Sequence, residues 1–121
     1  MAVTKQQLHE AVLAHKDDLL TLCQQLIQIK NQSPIDDQKP GIEFVRNYLA
    51  KHGIDSERIV ADSGEDYPVV YARIGSDEGF RVVLNGHVDV VPVGNLDGWD
   101  FDPFSGEIRD GKILGRGTSD M

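Results

Sequence analysis

The stretch "LNGHVDVVP", residues 84–92, sets His87 and Asp89 one residue apart inside an apolar run. Side chains alternate between the faces of a strand, so residues two apart leave from the same face. An imidazole nitrogen is a good ligand for a first-row divalent metal. A carboxylate beside it accepts the other ring proton, which fixes the tautomer and raises the basicity of the ligating nitrogen. Gly86 lets the backbone bend or a ligand come close. A lone His-x-Asp is more often a partly buried histidine in a neutral pair with its aspartate. Against that reading stands its cost: two ionisable groups in a buried strand are tolerated when a cation compensates them.

Two further stretches lie downstream. In "GWDFDPFSG", Trp99, Phe101 and Phe104 alternate with Asp100 and Asp102, as in a surface loop anchored by aromatics. In "GRGTSDM", Gly115 and Gly117 flank Arg116 and permit a tight backbone path that aims Asp120 at a defined point, although an ordinary turn has the same composition. Arg116 reads as a salt-bridge partner in an acidic domain, with contact to a substrate carboxylate as the other reading. "GRGTSD" lacks the third glycine of a dinucleotide-binding turn. "DFDPFSG" fails as a calcium loop, because Phe104 takes a ligand position and no glutamate closes the loop at Gly111.

The elements that must position these groups follow from the periodicity. Thr4 and Gln7 form a capping box, and Leu8, Val12, Leu19, Leu22, Leu26 and Ile29 recur at helical spacing, predicting one long helix to about Ile29. "NQSPIDDQKPG" reads as a loop. Pro40 opens a second helix with Phe44, Val45, Tyr48 and Leu49 on its apolar face, and Gly53 ends it. "IDSERIVAD", "PVVYARIG" and "FRVVLNGHVDVVP" predict short strands, and Asp110–Gly111 a hairpin turn between pieces near Ile108 and Ile113. Helix, helix and then strands imply an α/β layer arrangement.

Composition narrows the function classes. The 121 residues suit one domain or a piece of a larger one. A net charge of -8, from 12 basic and 20 acidic residues, argues against nucleic acid or an anionic membrane as the main partner. With Cys23 alone, neither an intrachain disulfide nor a cysteine-rich zinc module can form. No stretch reads as a signal peptide or membrane span, so the expected location is the cytoplasm. His9, His15 and His52 are read as solvated or helix-terminal residues.

"NGHVDVVP", "GWDFDPFSG" and "GRGTSDM", in that order and spacing, resemble the dinuclear zinc-dependent amidohydrolases and exopeptidases. That family includes acetylornithine deacetylase, succinyl-diaminopimelate desuccinylase, aminoacylase, carboxypeptidase G and the Xaa-His dipeptidases. The similarity covers most of the chain and is most specific over residues 84–121. It implies an α/β fold, the N-terminal part of a zinc-exopeptidase-like catalytic domain, with a central mixed sheet flanked by helices and incomplete in this chain. It also implies that His87 ligates a metal ion, that Asp89 is the catalytic-site carboxylate behind that histidine, and that Asp120 bridges two ions. The cofactor it implies is Zn2+, two per complete site, with Co2+ or Mn2+ possible at such a nitrogen and oxygen site. The partner it implies is a small N-acyl amino acid or dipeptide.

The family's general base, remaining ligands and lid domain, which serves dimerisation, fall beyond Met121. The expectation is therefore that residues 1–121 alone bind zinc weakly, lack activity and expose an unpaired sheet edge, the full-length parent being a homodimer. The competing expectation is a non-catalytic remnant or interaction module that keeps the front half of the fold.

Overall fold

The computed structural model describes residues 3–60, 68–76, 78–79 and 81–120. Helix α1 (Lys5–Ala14) begins at the expected capping box: the Thr4 hydroxyl accepts the Gln7 N–H at 3.2 Å, and the Gln7 side-chain oxygen accepts the Thr4 N–H at 2.9 Å. The single helix expected to reach Ile29 is instead two. At His15 the backbone turns to φ -103°, ψ 10°, and α2 runs Lys16–Gln28 with Asp17 and Asp18 in its first turn. Apolar spacing is helical on both sides of His15, so periodicity does not register the break. Packing does: Leu8, Val12 and Leu13 stay mostly exposed, while Leu22, Cys23, Leu26 and Ile27 of α2 are half-buried.

Helix α3 (Lys39–Lys51) matches its sequence signals, with Pro40 in the first turn and Gly53 at φ +73° just beyond its end. It packs against an antiparallel pair, β1 (Ser56–Val60) and β2 (Pro68–Ala72), in which Arg58 faces Val70 across the register. Ile42 of α3 is the one buried large hydrophobic among the described residues. The Asp110–Gly111 hairpin forms as expected, joining β3 (Ile108–Arg109) to β4 (Lys112–Ile113) with φ values of 52° and 73° at its two turn residues. Positive φ at both central positions matches the right-handed twist of the flanking strands. The segments "SGEDY" and Asp77 lie outside the described residues.

The strand expected over "FRVVLNGHVDVVP" is not formed. Among the described residues its ladder is a single parallel bridge between Gln32 and Val90. A strand is made by its partner. Residues 81–89 make no backbone–backbone hydrogen bond to another described residue, and β2 and residues 84–89 face each other across a cleft of about 510 Å³. Val82, Val83 and Leu84 are accordingly 73%, 87% and 92% exposed. The central mixed sheet is thus represented by two separate two-stranded antiparallel sheets and that bridge. No helix of the described residues is long and apolar enough to cross a membrane.

Candidate metal centre

Residues 90–93 are held from below by the loop that the sequence marks only as a connector. Val90 donates its N–H to the Asn31 carbonyl at 3.0 Å, and its own carbonyl accepts the Ser33 N–H at 2.9 Å. The Gln32 side-chain oxygen accepts the Val93 N–H at 3.0 Å, while Asp36 Oδ2 accepts both the Gln32 N–H and its Nε2–H at 2.9 Å. The Val93 carbonyl then accepts the Trp99 indole N–H at 3.0 Å. Sequence reasoning missed Gln32 and Asp36. Their i, i+4 polar spacing within a loop is a weak signal, because its partner at Val93 is 61 residues away.

The turn that leads to Asp120 is held from the other side. Gln24 and Gln28 of α2 donate to the carbonyls of Gly106 and Ser105 at 2.8 and 3.0 Å, and the Arg116 N–H donates to the Pro103 carbonyl at 2.7 Å. A Cβ on Gly115 would lie 2.5 Å from Ile27 Cγ2, and one on Gly117 would lie 2.7 Å from Val90 Cγ1. The two glycines are thus close-approach positions that seat the turn against α2 and against Val90. This is the tight path that aims Asp120.

The result brings all three expected site residues together. His87 Nδ1 lies 2.9 Å from the Asp89 carbonyl oxygen and 3.2 Å from Asp89 Oδ1, and His87 Nε2 lies 3.2 Å from Asp120 Oδ1. Both partners of Nδ1 are acceptors, so Nδ1 carries the proton. In the neutral ring Nε2 is then an unprotonated acceptor facing a carboxylate oxygen, which is itself an acceptor. Such a contact is repulsive unless a cation lies between them. A proton can fill that role, and the imidazole pKa is raised above its ordinary value, first by the Asp89 carbonyl and then by the Asp120 carboxylate. A divalent ion can also fill it. Zinc–nitrogen and zinc–oxygen bonds of about 2.0–2.2 Å at a tetrahedral angle separate two ligand atoms by about 3.3 Å, close to the 3.2 Å observed.

One premise of the sequence reading needs correction. The side chains of His87 and Asp89 are 46% and 49% exposed and that of Asp120 is 92% exposed, so burial does not by itself demand a compensating cation. Because residues 81–89 have no strand partner among the described residues and are largely exposed, the run is not a buried strand. With the ring's one proton on Nδ1, the approach of Nε2 to the Asp120 oxygen calls for a second proton or a metal cation between them. Among the described residues no group of three or more His, Cys, Asp or Glu gathers to hold a metal. His15 and His52 are helix-terminal as expected, the first 3.6 Å from Asp18 and the second in tilted ring contact with Tyr48. Arg116 departs from its expected salt bridge: its guanidinium lies 4.9 Å from the centre of the Trp99 ring.

These elements share the fold of the matching part of a larger solved protein. Human carnosine dipeptidase 1 superposes with a TM-score of 0.71 at 22% identity, over 95% of this chain and 27% of that one. Residues 83–121, which include the three site residues, match the model of peptidase family M20/M25/M40. That is the family the three motifs resemble, and the similarity is to its matched part. The chain is 39% identical over 107 residues to the succinyl-diaminopimelate desuccinylase of Ehrlichia ruminantium (strain Gardel), and 43% identical over 104 residues to that of Acinetobacter baumannii (strain SDF). These matches cover 86% of this chain but 27% and 26% of the relatives, so the chain spans about a quarter of their length.

Proposed function

We propose that this chain supplies the first metal ligands of a metal-dependent hydrolase that cleaves amide or peptide bonds in small N-acyl amino acids or dipeptides. His87 Nε2 and Asp120 Oδ1 are the ligand atoms. Asp89 is a positioning carboxylate that holds the Nδ1 proton and so keeps the Nε2 lone pair directed at the ion. Zinc is the metal best matched to one imidazole and one carboxylate at this spacing, and cobalt or manganese suits the same donors. When bound, such an ion polarises an amide carbonyl and lowers the pKa of a coordinated water. The names of the desuccinylase relatives favour an N-acyl amino acid as substrate. The observation that carries the reading is the acceptor-to-acceptor contact between His87 and Asp120.

With two ligand side chains, the 121-residue chain is expected to bind one divalent ion weakly and to release no amine from an N-acyl amino acid. Titration with Co2+, followed by its visible absorption, tests the ligand assignment. His87→Ala and Asp120→Ala should each weaken binding at least about tenfold, and Asp89→Asn by about 10–100-fold through the loss of ring orientation. Equal affinities across the four proteins would remove the basis for the metal site. Steady amine release by the isolated chain would show that two ligands suffice.

A further inference from the structure

Residues 81–89 carry a reactive pair that the metal centre does not use. The chain has four asparagines, Asn31, Asn47, Asn85 and Asn95, and Asn85 is the one followed by glycine. The amide carbon of an asparagine is an electrophile, one bond short of a five-membered ring with the backbone nitrogen of the next residue. Closing that ring requires a side chain free to turn and a backbone N–H that no acceptor holds. A following glycine has no Cβ to shield the nitrogen.

Three of the four asparagines are restrained. Asn31 is 2% exposed. Asn47 lies within α3, where the N–H of Tyr48 donates along the helix. Asn95 Oδ1 accepts the Asp97 N–H at 3.0 Å, which pins its side chain. Asn85 has none of these restraints. It and Gly86 are exposed, and neither backbone N–H donates to a backbone carbonyl among the described residues. The chain becomes anchored only at Val90, whose N–H and carbonyl are bonded to Asn31 and Ser33.

We propose that Asn85–Gly86 is a site of spontaneous covalent modification, passing through a succinimide to aspartate and isoaspartate. The Gly86 nitrogen gives its proton to hydroxide and attacks Asn85 Cγ. The new C–N bond closes the ring, and the side-chain nitrogen leaves as ammonia after taking a proton from water. Water then adds to one of the two ring carbonyls and breaks its bond to nitrogen. Opening at the side-chain carbonyl gives aspartate. Opening at the backbone carbonyl gives isoaspartate, whose main chain is longer by one methylene. No oxidant, metal ion or enzyme takes part. Each event adds one negative charge to the -8 of the chain, in the cleft that Asn85 lines together with His87 and Asp89.

The 121-residue chain, held in heavy-oxygen water at mildly alkaline pH and digested with trypsin, tests the proposal by tandem mass spectrometry. Asn85 and Asn95 fall in one tryptic peptide, because no lysine or arginine lies between Arg81 and Arg109. Heavy oxygen should enter position 85 as both aspartate and isoaspartate, at least about tenfold faster than position 95. The rate should rise with pH, since the attacking nitrogen is the deprotonated one. Asn85→Gln, which would have to close a less favourable six-membered ring, should lose the signal at that position. The structural part of the argument is read from the same chain unfolded in guanidinium chloride. With Asn85 and Gly86 unrestrained, the folded rate should lie within about tenfold of the unfolded one.

A folded rate lower than the unfolded one by more than about tenfold would overturn the proposal. So would equal conversion at Asn85 and Asn95, or undiminished oxygen entry in Asn85→Gln. Neither metal nor substrate is involved, so the modification site and the metal centre fail separately.

Discussion

Residues 90–120 and residues 68–89 adjoin in sequence but differ in how they are held. In the first, Val90 and Val93 are bonded to the 31–36 loop, Trp99 to Val93, and the 115–117 turn to Pro103 and α2. In the second, among the described residues, β2 pairs with β1 alone, residues 81–89 make no backbone–backbone hydrogen bond to another segment, and Val69, Val83 and Leu84 are exposed. Asn31 sits on the border. Its backbone carbonyl serves the held side, while its side chain, 2% exposed, lines the cleft with both amide atoms unpartnered. The arrangement of His87, Asp89 and Asp120 therefore comes from the side where polar groups are satisfied locally. His87 and Asp89 are placed because the chain is anchored immediately after them, at Val90.

Breaking the held side should have the largest effect. Gly117→Val puts a branched side chain at φ +91°, where even a Cβ meets Val90 Cγ1 at 2.7 Å. Overpacking together with the backbone conformation should cost about 2–4 kcal/mol, read as a fall in the thermal midpoint and loss of Co2+ binding. Gln32→Ala removes the acceptor of the Val93 N–H and should cost about 1–2 kcal/mol. In that variant the Trp99 indole proton should exchange faster with solvent, and an unaltered exchange rate would detach the 31–36 loop from the site.

The Asp36 carboxyl sharpens the same contrast through pH. Its pKa is lowered, first by the Gln32 N–H and then by the Gln32 side chain. A group with a folded pKa below its unfolded one contributes stability above the unfolded value and loses it as pH falls through the folded value. Denaturation curves should therefore weaken on acidification below the ordinary carboxylate range, and Asp36→Asn should flatten that limb. Asn31→Ala should cost less than Gln32→Ala despite its deeper burial, because no side-chain hydrogen bond is lost. Val83→Thr, on the unheld side, should leave chemical denaturation midpoints within about 0.5 kcal/mol of the parent. A larger loss there would mean that residues 81–89 are packed after all.

Local chemistry was legible wherever one short stretch determined it. The capping box at Thr4, the helix opened by Pro40 and the Asp110–Gly111 turn each depend on neighbours within four residues, and each formed as read. The break at His15 was hidden because the apolar spacing persists across it. The strand over residues 81–92 was misread because alternation and β-branching describe a strand's side chains and not the partner its backbone must find. Arg116 was assigned a salt bridge on charge balance alone, and only the position of Trp99 gives it a different neighbour.

For the centre itself, His87, Asp89 and Asp120 were named from sequence because three motifs in order resemble a known family, whereas a lone His-x-Asp or a Gly-Arg-Gly turn reads equally as ordinary structure. Sequence alone could not decide that His87 Nε2 and Asp120 Oδ1 come within 3.2 Å of each other. That distance spans 33 positions and depends on Val90, Ile27 and Pro103 fitting against a turn with no Cβ at Gly115 and Gly117. Residue type sets which atoms bind a cation; close packing between distant segments sets whether they meet.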